Sequence, residues 1–529
     1  MAGRRDPLML RGMTQTDCQV LIVGAGPTGL VLAATLLARG ISTRIIDRGD
    51  GVILQSRACA IHARTLEVLD TMNLAEEFFE RGQVVRRFRM YSDGMPLVNL
   101  DLSRIGSRYS CMLDLPQNET EGLLRGRVSE LGGSIEQGVE LLGLRQHDGL
   151  VTATVKDCAG QTGSITSNYL VGCDGAHSRV RHELGLVFEG HSYAQDWLLA
   201  DVRMDWDRKE DEFHAFFVAD GPPMICLPLR DHVWRVILPY AGERDQGAPT
   251  FDEIQQLVDQ RAPRRIALSD PAWLATFRCH RRSTNVYRVG SVLLAGDAVH
   301  IHTPAGGQGM NTGILDAHNL GWKLARVASG CSSATLLDTY GEERGPVAAE
   351  VLQLTHALVE FSTMSTRGKR AIRDSLTPIV SRVPTIQRRT VRRMSHHHVA
   401  YRASPLTRPD QRPSGPRPGD RAPDVQVISA GTTRRLHEVL RGGRHVLVVS
   451  GREALSESAR EALRPYDDDL DVVCGQLGPV IWPRGIASLI RPDGYIAARG
   501  STTRLPRVLE YLDELCGRPS VTSGRERQD

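Results

Sequence analysis

Residues 18–48 constrain this chain more than any other stretch. Cys18-Gln-Val-Leu-Ile-Val23 is the apolar run that a fully buried strand requires. Gly24-Ala-Gly26-Pro27-Thr28-Gly29 follows without a spacer. Residues 30–39 read as a helix of strong formers, stopped by Gly40. Residues 43–46 give a second buried strand, closed by Asp47 and Arg48. Strand, glycine triplet, helix, strand and terminal acid together make a βαβ unit that holds a dinucleotide. Gly24 allows the tight turn, Gly26 lets backbone approach a pyrophosphate, and Gly29 lets the helix pack closely on the strand. The helix N-terminus offers free N–H groups and partial positive charge to the phosphates. Asp47 lies close to the offset of about 20 residues at which an acid grips a ribose hydroxyl. A glycine-rich turn with no ligand would explain the triplet but not the whole order.

Two later segments carry the same signature. Residues 169–171 are a buried strand that runs into Gly172-Cys-Asp174-Gly175, with Ser178, Arg179 and Arg181 behind it. Residues 292–295 are another, ending at Gly296-Asp297. The loop Pro304-Ala-Gly306-Gly307-Gln308-Gly309-Met310-Asn311 then opens a long helix through Leu315, Leu320 and Leu324. Asp-Gly alone is a common turn. An acid at the C-terminal end of a buried strand, twice, suits a nucleotide edge. Arg57 and Arg64 sit where a loop enters a helix near that edge. Either could hold a phosphate, or form a surface ion pair. His300 and His302 are candidates for acid–base work, although histidines on such loops are more often structural. No third ligand supports metal binding by them.

Residues 88–102 alternate apolar and polar around Asp93-Gly94, which reads as a hairpin in a different layer from the βαβ unit. Leu115-Pro116-Gln117 leads into a helix. Segments 198–204, 213–218, 224–229 and 233–238 read as an antiparallel meander, one face of which can floor a substrate pocket. Residues 251–260 read as a helix. The arginines at 388, 389, 392 and 393 with His396, His397 and His398 form a short basic patch, read as a solvated helix face. Residues 402–423 are rich in Pro, Arg, Asp and Gly and read as a linker. Beyond it, strands at 445–449, 487–490 and 495–498 and a helix at 505–515 make a small α/β domain.

Composition narrows the class. A chain of 529 residues supports two or three domains, and 41% hydrophobic with 24% charged residues is that of a soluble globular protein. The net charge of +3 gives no push toward nucleic acid or anionic membrane. The ten cysteines are scattered with no Cys-x-x-Cys pair, which argues against structural zinc and a redox dithiol and suits a reducing cytoplasm. No apolar run reaches the roughly 18 residues of a membrane span. Residues 1–16, with Arg4, Arg5 and only Leu8-Met9-Leu10 apolar, read as a leader too short for a signal core, and Met13 is an alternative start.

Gly24-x-Gly26-x-x-Gly29, Asp174-Gly175 and Gly296-Asp297, in this order and at these separations, resemble the single-component (class A) FAD-dependent aromatic hydroxylases, the phenol hydroxylase and para-hydroxybenzoate hydroxylase superfamily. Within it the chain is most similar to the branch that oxidises aromatic polyketides and to rifampicin monooxygenase. The resemblance implies an α/β fold: a Rossmann-like FAD domain (residues 17–88, 112–190 and 280–370), an inserted antiparallel substrate domain (89–111 and 191–279) and a connector (371–401). A linker (402–424) and a thioredoxin-like domain without redox cysteines (425–516) follow. It also implies FAD and NADPH as cofactors, O₂ and a small aromatic molecule as partners, and a homodimer. The implied reaction hydroxylates a multi-ring phenol through a flavin C4a-hydroperoxide. By the same resemblance Gly24, Gly26, Pro27, Thr28 and Gly29 hold the pyrophosphate. Asp47 and Arg48 serve the adenosine side, with Asp where the family usually has Glu, and Arg57 contacts the nucleotide. Gln117 touches the ribityl chain, and Asp174, Gly296 and Asp297 bind FAD. Pro304, Gly307, Gln308, Gly309, Met310 and Asn311 line the flavin edge. No catalytic base can be named. Baeyer–Villiger insertion or antibiotic-inactivating oxidation would use the same scaffold, and a ligand-sequestering flavoprotein is a third reading. A halogenase is disfavoured because Trp-x-Trp-x-Ile-Pro is absent. A plain NAD-dependent dehydrogenase would explain only the first motif.

Overall fold

A computed structural model describes residues 16–51, 58–218, 223–240, 247–303, 306–362, 367–410, 415–450, 455–475 and 485–517. Arg57 and Pro304 lie outside the described residues. The fold is mixed α/β. Its centre is a sheet whose strands run, from one edge, Arg288–Val289, Val292–Leu294, Thr162–Gly172, Cys18–Val23 (β1), Thr43–Asp47 (β2) and Ile135–Gln137. From Val292–Leu294 to Ile135–Gln137 the neighbours are all parallel, so their C-terminal ends share one edge. The helix Pro27–Leu37 (α1) starts on Pro27, whose missing N–H costs a helix nothing at that position. Residues 29–36 of α1 are all buried. A helix covered on every side needs neighbours on both flanks, and the helices Gln117–Glu130 and Gly309–Ala328 supply them.

A second sheet runs His300–Ile301, Ala267–Ser283, Glu189–Asp205, Val233–Tyr240, Met224–Pro228, Glu212–Phe217, Arg87–Ser92 and Met95–Asp101. The expected meander is its middle. The expected hairpin is its far edge, turned at Asp93 (φ 46°) and Gly94 (φ 79°). Successive residues of this sheet face opposite sides. Leu198, Ala200, Val202, Trp234, Val236 and Leu238 pack with Ile254 and Val258 of the helix Phe251–Arg261. Leu227, Ile225 and Ile237 join the core of the first sheet instead.

The strand Ala267–Ser283 was not legible as a strand. Asp270-Pro271 and Arg278, His280, Arg281 and Arg282 interrupt its apolar pattern, yet it pairs along most of Glu189–Asp205. Long backbone pairing holds it where side-chain burial does not. Gly190 (φ +142°) is required there, because a Cβ would sit 1.9 Å from the Arg281 carbonyl oxygen.

The C-terminal region forms its own sheet in the order Thr432–Arg435, Gln426–Ser429, Leu470–Gly475, His445–Ser450, Ile486–Ile490, Ile496–Ser501. Its central pair, His445–Ser450 and Leu470–Gly475, is parallel, and the hairpin edge is antiparallel, as in a thioredoxin-like fold. Described parts of the segment leading into it are packed against the protein: Leu406 and Ala422 are buried, and Arg421 pairs with the buried Glu67 at 3.0 Å. Two histidines of the expected solvated patch are core residues, with His396 and His397 1% and 2% exposed. His397 bonds Glu67 at 3.0 Å, so the reading of a solvated face is corrected there. The pattern failed because the helix Pro384–Met394 ends before them and the chain turns inward, with His396 at φ 59°. Among the described residues no helix is long and apolar enough to cross a membrane.

Candidate functional site

The parallel strands deliver the three glycine segments to one edge, and the segments touch. Gly24 N–H donates to the Ile46 carbonyl at 2.8 Å, Cys173 N–H to Val23 at 2.7 Å, and Ala295 N–H to Gly172 at 3.0 Å. Gly24 has φ +105°, and a Cβ on it would lie 2.4 Å from the Cys173 carbonyl oxygen. A Cβ on Gly29 would lie 2.0 Å from the Gly24 oxygen. Thr28 reaches across to the third segment, where its Oγ1 would meet a Cβ on Gly296 at 2.6 Å and one on Gly313 at 2.3 Å. The start of α1 and the start of the helix Gly309–Ala328 therefore meet at Thr28.

Several features fit a bound dinucleotide at this edge. A Cβ on Gly26 would meet nothing within 4 Å, so this glycine opens onto free space beside the end of α1. Neither Gly26 nor Gln308, the N-cap residues of the two helices, makes a side-chain cap bond, and neither first turn carries an acid. The first-turn N–H groups of both helices thus carry no side-chain cap, and those of α1 lie beside space open to an anion. Asp297 is exposed, yet burial raises its pKa, which describes a carboxyl inside a cleft: reachable by solvent, with protein around it. It makes no hydrogen bond to any described residue, so its oxygens are free to accept from a ligand hydroxyl.

The other residues divide by what their side chains touch. Asp47 accepts from Ala25 N–H at 2.6 Å and Gly49 N–H at 2.8 Å, so it braces the glycine turn as well as bordering the groove. Arg48 is exposed just beyond it. Asp174 accepts from Ser178 Oγ at 2.6 Å and Val180 N–H at 3.1 Å, and in this structure caps its own loop. Burial still raises its pKa, against those bonds. Asn311 is fully buried. It accepts from His62 N–H at 2.8 Å and donates to the carbonyls of Ala60 at 2.8 Å and Gly307 at 2.7 Å. Its side chain therefore ties the glycine loop to the strand Ala60–His62. Gln308 also turns inward, donating to Gly306 and Met394 carbonyls at 3.1 Å each. Gly307 (φ +63°) lies against Ala60, where a Cβ would come within 2.7 Å. Gly309 and Met310 are half-buried at the helix start.

Sequence reasoning missed two contributors. His62 holds the Gly306 carbonyl at 2.8 Å, and burial lowers its pKa to about 4, so it is neutral. Arg125 lies beside the glycine turn, with Nη2 3.4 Å from the Ala25 carbonyl and Nε unpartnered. A signal for Arg125 was present: Gln117, Glu121 and Arg125 are spaced i, i+4, i+8 on one helix face. Gln117 donates to Glu121 at 2.9 Å on that face. Arg64, weighed as a phosphate ligand, is instead buried against Glu67 at 2.9 Å and the Asp493 carbonyl at 2.7 Å. His300 bonds Asp316 at 2.7 Å, and burial lowers the pKa of His302 to about 4. His302 is therefore uncharged at neutral pH and is no ready proton donor.

Toward the second sheet, Arg235 is fully buried and grips Asp201 through two bonds of 2.8 and 2.7 Å. Asp114, three residues before Gln117, is buried with neither oxygen bonded, and burial raises its pKa well above the carboxylate range despite Arg235. Desolvation is the larger of the two effects on this carboxyl.

Residues 17–355 match the family described as FAD binding domain, and residues 415–519 match the aromatic-ring hydroxylase C-terminal family. A 6-methylpretetramide 4-monooxygenase of Streptomyces rimosus is 36% identical over 93% of this chain and 93% of its own. A rifampicin monooxygenase of Streptomyces venezuelae is 34% identical over 92% of this chain and 98% of its own. The solved structure of an anhydrotetracycline hydroxylase from Streptomyces rimosus is 32% identical, covers 95% of this chain and 99% of its own, and superposes with a TM-score of 0.79. The open glycine edge, the free carboxyl in its cleft and these likenesses lead to one conclusion: the chain belongs to the FAD-dependent aromatic-ring hydroxylases and is a monooxygenase.

Proposed function

We propose that the protein hydroxylates a multi-ring phenolic compound of the aromatic polyketide kind, with NADPH as reductant and O₂ as oxygen donor. The observation that carries the reading is the cleft at Asp297, where a free carboxyl and two uncapped helix starts meet. FAD held there supplies hydride acceptance and oxygen activation. Gly24, Gly26 and Thr28 would take its pyrophosphate, with Arg125 beside it, Asp47 its adenosine side and Asp297 a hydroxyl of its chain. The start of the helix Gly309–Ala328 would favour negative charge on the ring system by about 0.3–1 kcal/mol. His62 and Asn311 hold the loop before that helix in shape. The substrate class is supported by the relatives named for 6-methylpretetramide and anhydrotetracycline.

The direct test is a screen of multi-ring phenols and naphthoquinones for stimulated NADPH oxidation, with products identified by mass. The expected result is a product with one added oxygen and its ring skeleton intact. Ring expansion or opening would assign oxygen insertion instead, and tight binding without turnover would leave a ligand-sequestering protein. Asp297→Ala is expected to lose one charge-assisted hydrogen bond of about 1.5–3 kcal/mol, a ten- to hundredfold weaker hold on FAD. Flavin released on denaturation measures it, and full occupancy in the variant would reject the assigned role.

A further inference from the structure

At the other end of α1, away from the glycine edge, a cavity of about 50 Å³ lies between the FAD domain and the C-terminal domain. Its walls carry Arg39, Arg127, His318 and Arg441, and no carboxylate lines it. Arg441 is committed to Asp70 at 2.6 Å and Arg127 to the exposed Glu130 at 2.8 Å. Among the described residues Arg39 has no such partner: it donates from Nη1 to the Thr35 carbonyl at 2.9 Å, and Asp493 acts on it only from beyond ion-pair distance. The turn at Gly443 of the C-terminal domain closes over it, where a Cβ would lie 3.0 Å from Nη2. His318 is only 8% exposed and makes no hydrogen bond to any described residue. Burial lowers its pKa well below the usual range, and the positive charges of Arg64, Arg39 and Arg344 act in the same direction.

Arg39 is half-buried, and the carboxylate that acts on it, Asp493, forms no ion pair with it. Charges that leave water are normally paired at close range, and the side of Arg39 that faces the cavity is free to take an anion. The C-terminal end of α1 offsets part of Arg39's charge through the helix dipole, but that effect is under about 1 kcal/mol. At about 10–15 Å³ for each water-sized group, the cavity takes a tetrahedral ion and excludes a nucleotide. We propose that Arg39 and His318, within the field of Arg441 and Arg127, form a site for a small oxyanion of the phosphate class that clamps the C-terminal domain to the FAD domain. Nη2 and Nε of Arg39 donate to the ion, and a ring N–H of His318 adds a third bond.

The test titrates inorganic phosphate into the FAD-loaded, full-length protein by calorimetry, with ionic strength fixed by potassium chloride. The expected result is saturable binding of one ion per chain, at least tenfold weaker in both Arg39→Gln and His318→Leu. Arg145→Gln, an exposed charge elsewhere on the surface, should leave it unchanged. Absence of saturable heat in the unaltered protein overturns the site. So does equal affinity in His318→Leu, which removes no charged partner and serves if Arg39→Gln fails to fold.

Discussion

Arg491→Leu is expected to destabilise the protein by about 3–5 kcal/mol, the usual cost of removing one partner from a buried ion pair. Arg491 sits in the turn between the last two strands of the C-terminal sheet, yet it is 1% exposed. It grips Glu343 through bonds of 2.6 and 2.8 Å and also bonds Asp493. Asp493 in turn accepts from Trp322 at 3.1 Å and Asn319 at 3.3 Å, on the helix whose first turn borders the proposed flavin site. Lys323, one turn on from Asn319, donates to Glu343 at 2.8 Å. Leucine would leave two buried acids sharing one ammonium. Burial already lowers the pKa of Lys323 to about 8, so that ammonium is itself poorly placed to compensate. The denaturation midpoint of the FAD-loaded variant measures the loss, and a shift under 1 kcal/mol would show that water reaches the turn. For the same reason, removing residues 425–529 is expected to cost bound flavin, because the helix Gly309–Ala328 would lose its buried partners. A pH dependence follows. Burial opposes ionisation of Glu343, but Arg491 and then Lys323 outweigh it and hold its pKa below the usual range. A carboxyl with a depressed folded-state pKa stabilises fully above its unfolded value and loses that contribution as pH falls below it. Unfolding in acid should therefore begin below about pH 4.5, and the Glu343→Gln variant should show a flatter acid limb.

What the sequence disclosed follows periodicity. Buried parallel strands are continuous apolar runs, so β1, β2 and the strands before Asp174 and Gly296 could be read directly, with the glycines after them. The hairpin at Asp93-Gly94 and the meander were legible by alternation. The strand Ala267–Ser283 was not, because backbone pairing holds a polar sequence. At the site, residue type located the loops but not the direction of each side chain. Asn311 and Gln308 stand in the right loop and bond to protein, a distinction made by the contacts of Ala60 and His62, about 250 positions away in sequence. Arg491-Pro-Asp493-Gly494 is turn chemistry, which says nothing about where the turn lies. Only tertiary packing reveals that the turn is driven into the core.

The two glycines of the first loop should fail in opposite ways, which separates fold from ligand. Gly24→Ala puts a methyl 2.4 Å from the carbonyl oxygen of Cys173, just past the neighbouring strand, at a φ of +105° that side chains avoid. Backbone must move, the join between β1 and the strand Thr162–Gly172 opens, and the protein without flavin should already be destabilised. A Cβ at position 26 would meet no protein atom within 4 Å, and Gly26 has an ordinary φ of −75° at the N-cap of α1. Asparagine is among the best N-cap residues and would bond the first-turn N–H groups, stabilising α1 by a few tenths of a kcal/mol over glycine. Those N–H groups are the ones a pyrophosphate needs, and the side chain occupies the space it needs. Gly26→Asn is therefore expected to keep or slightly raise the melting temperature of the flavin-free protein while weakening FAD binding at least a hundredfold, or about 2.7 kcal/mol. Thermal unfolding without flavin and fluorescence titration with FAD read the two effects separately. If the asparagine variant binds FAD as the parent does, the open space beside Gly26 is not where the phosphates lie, and the assignment of the whole glycine edge falls with it.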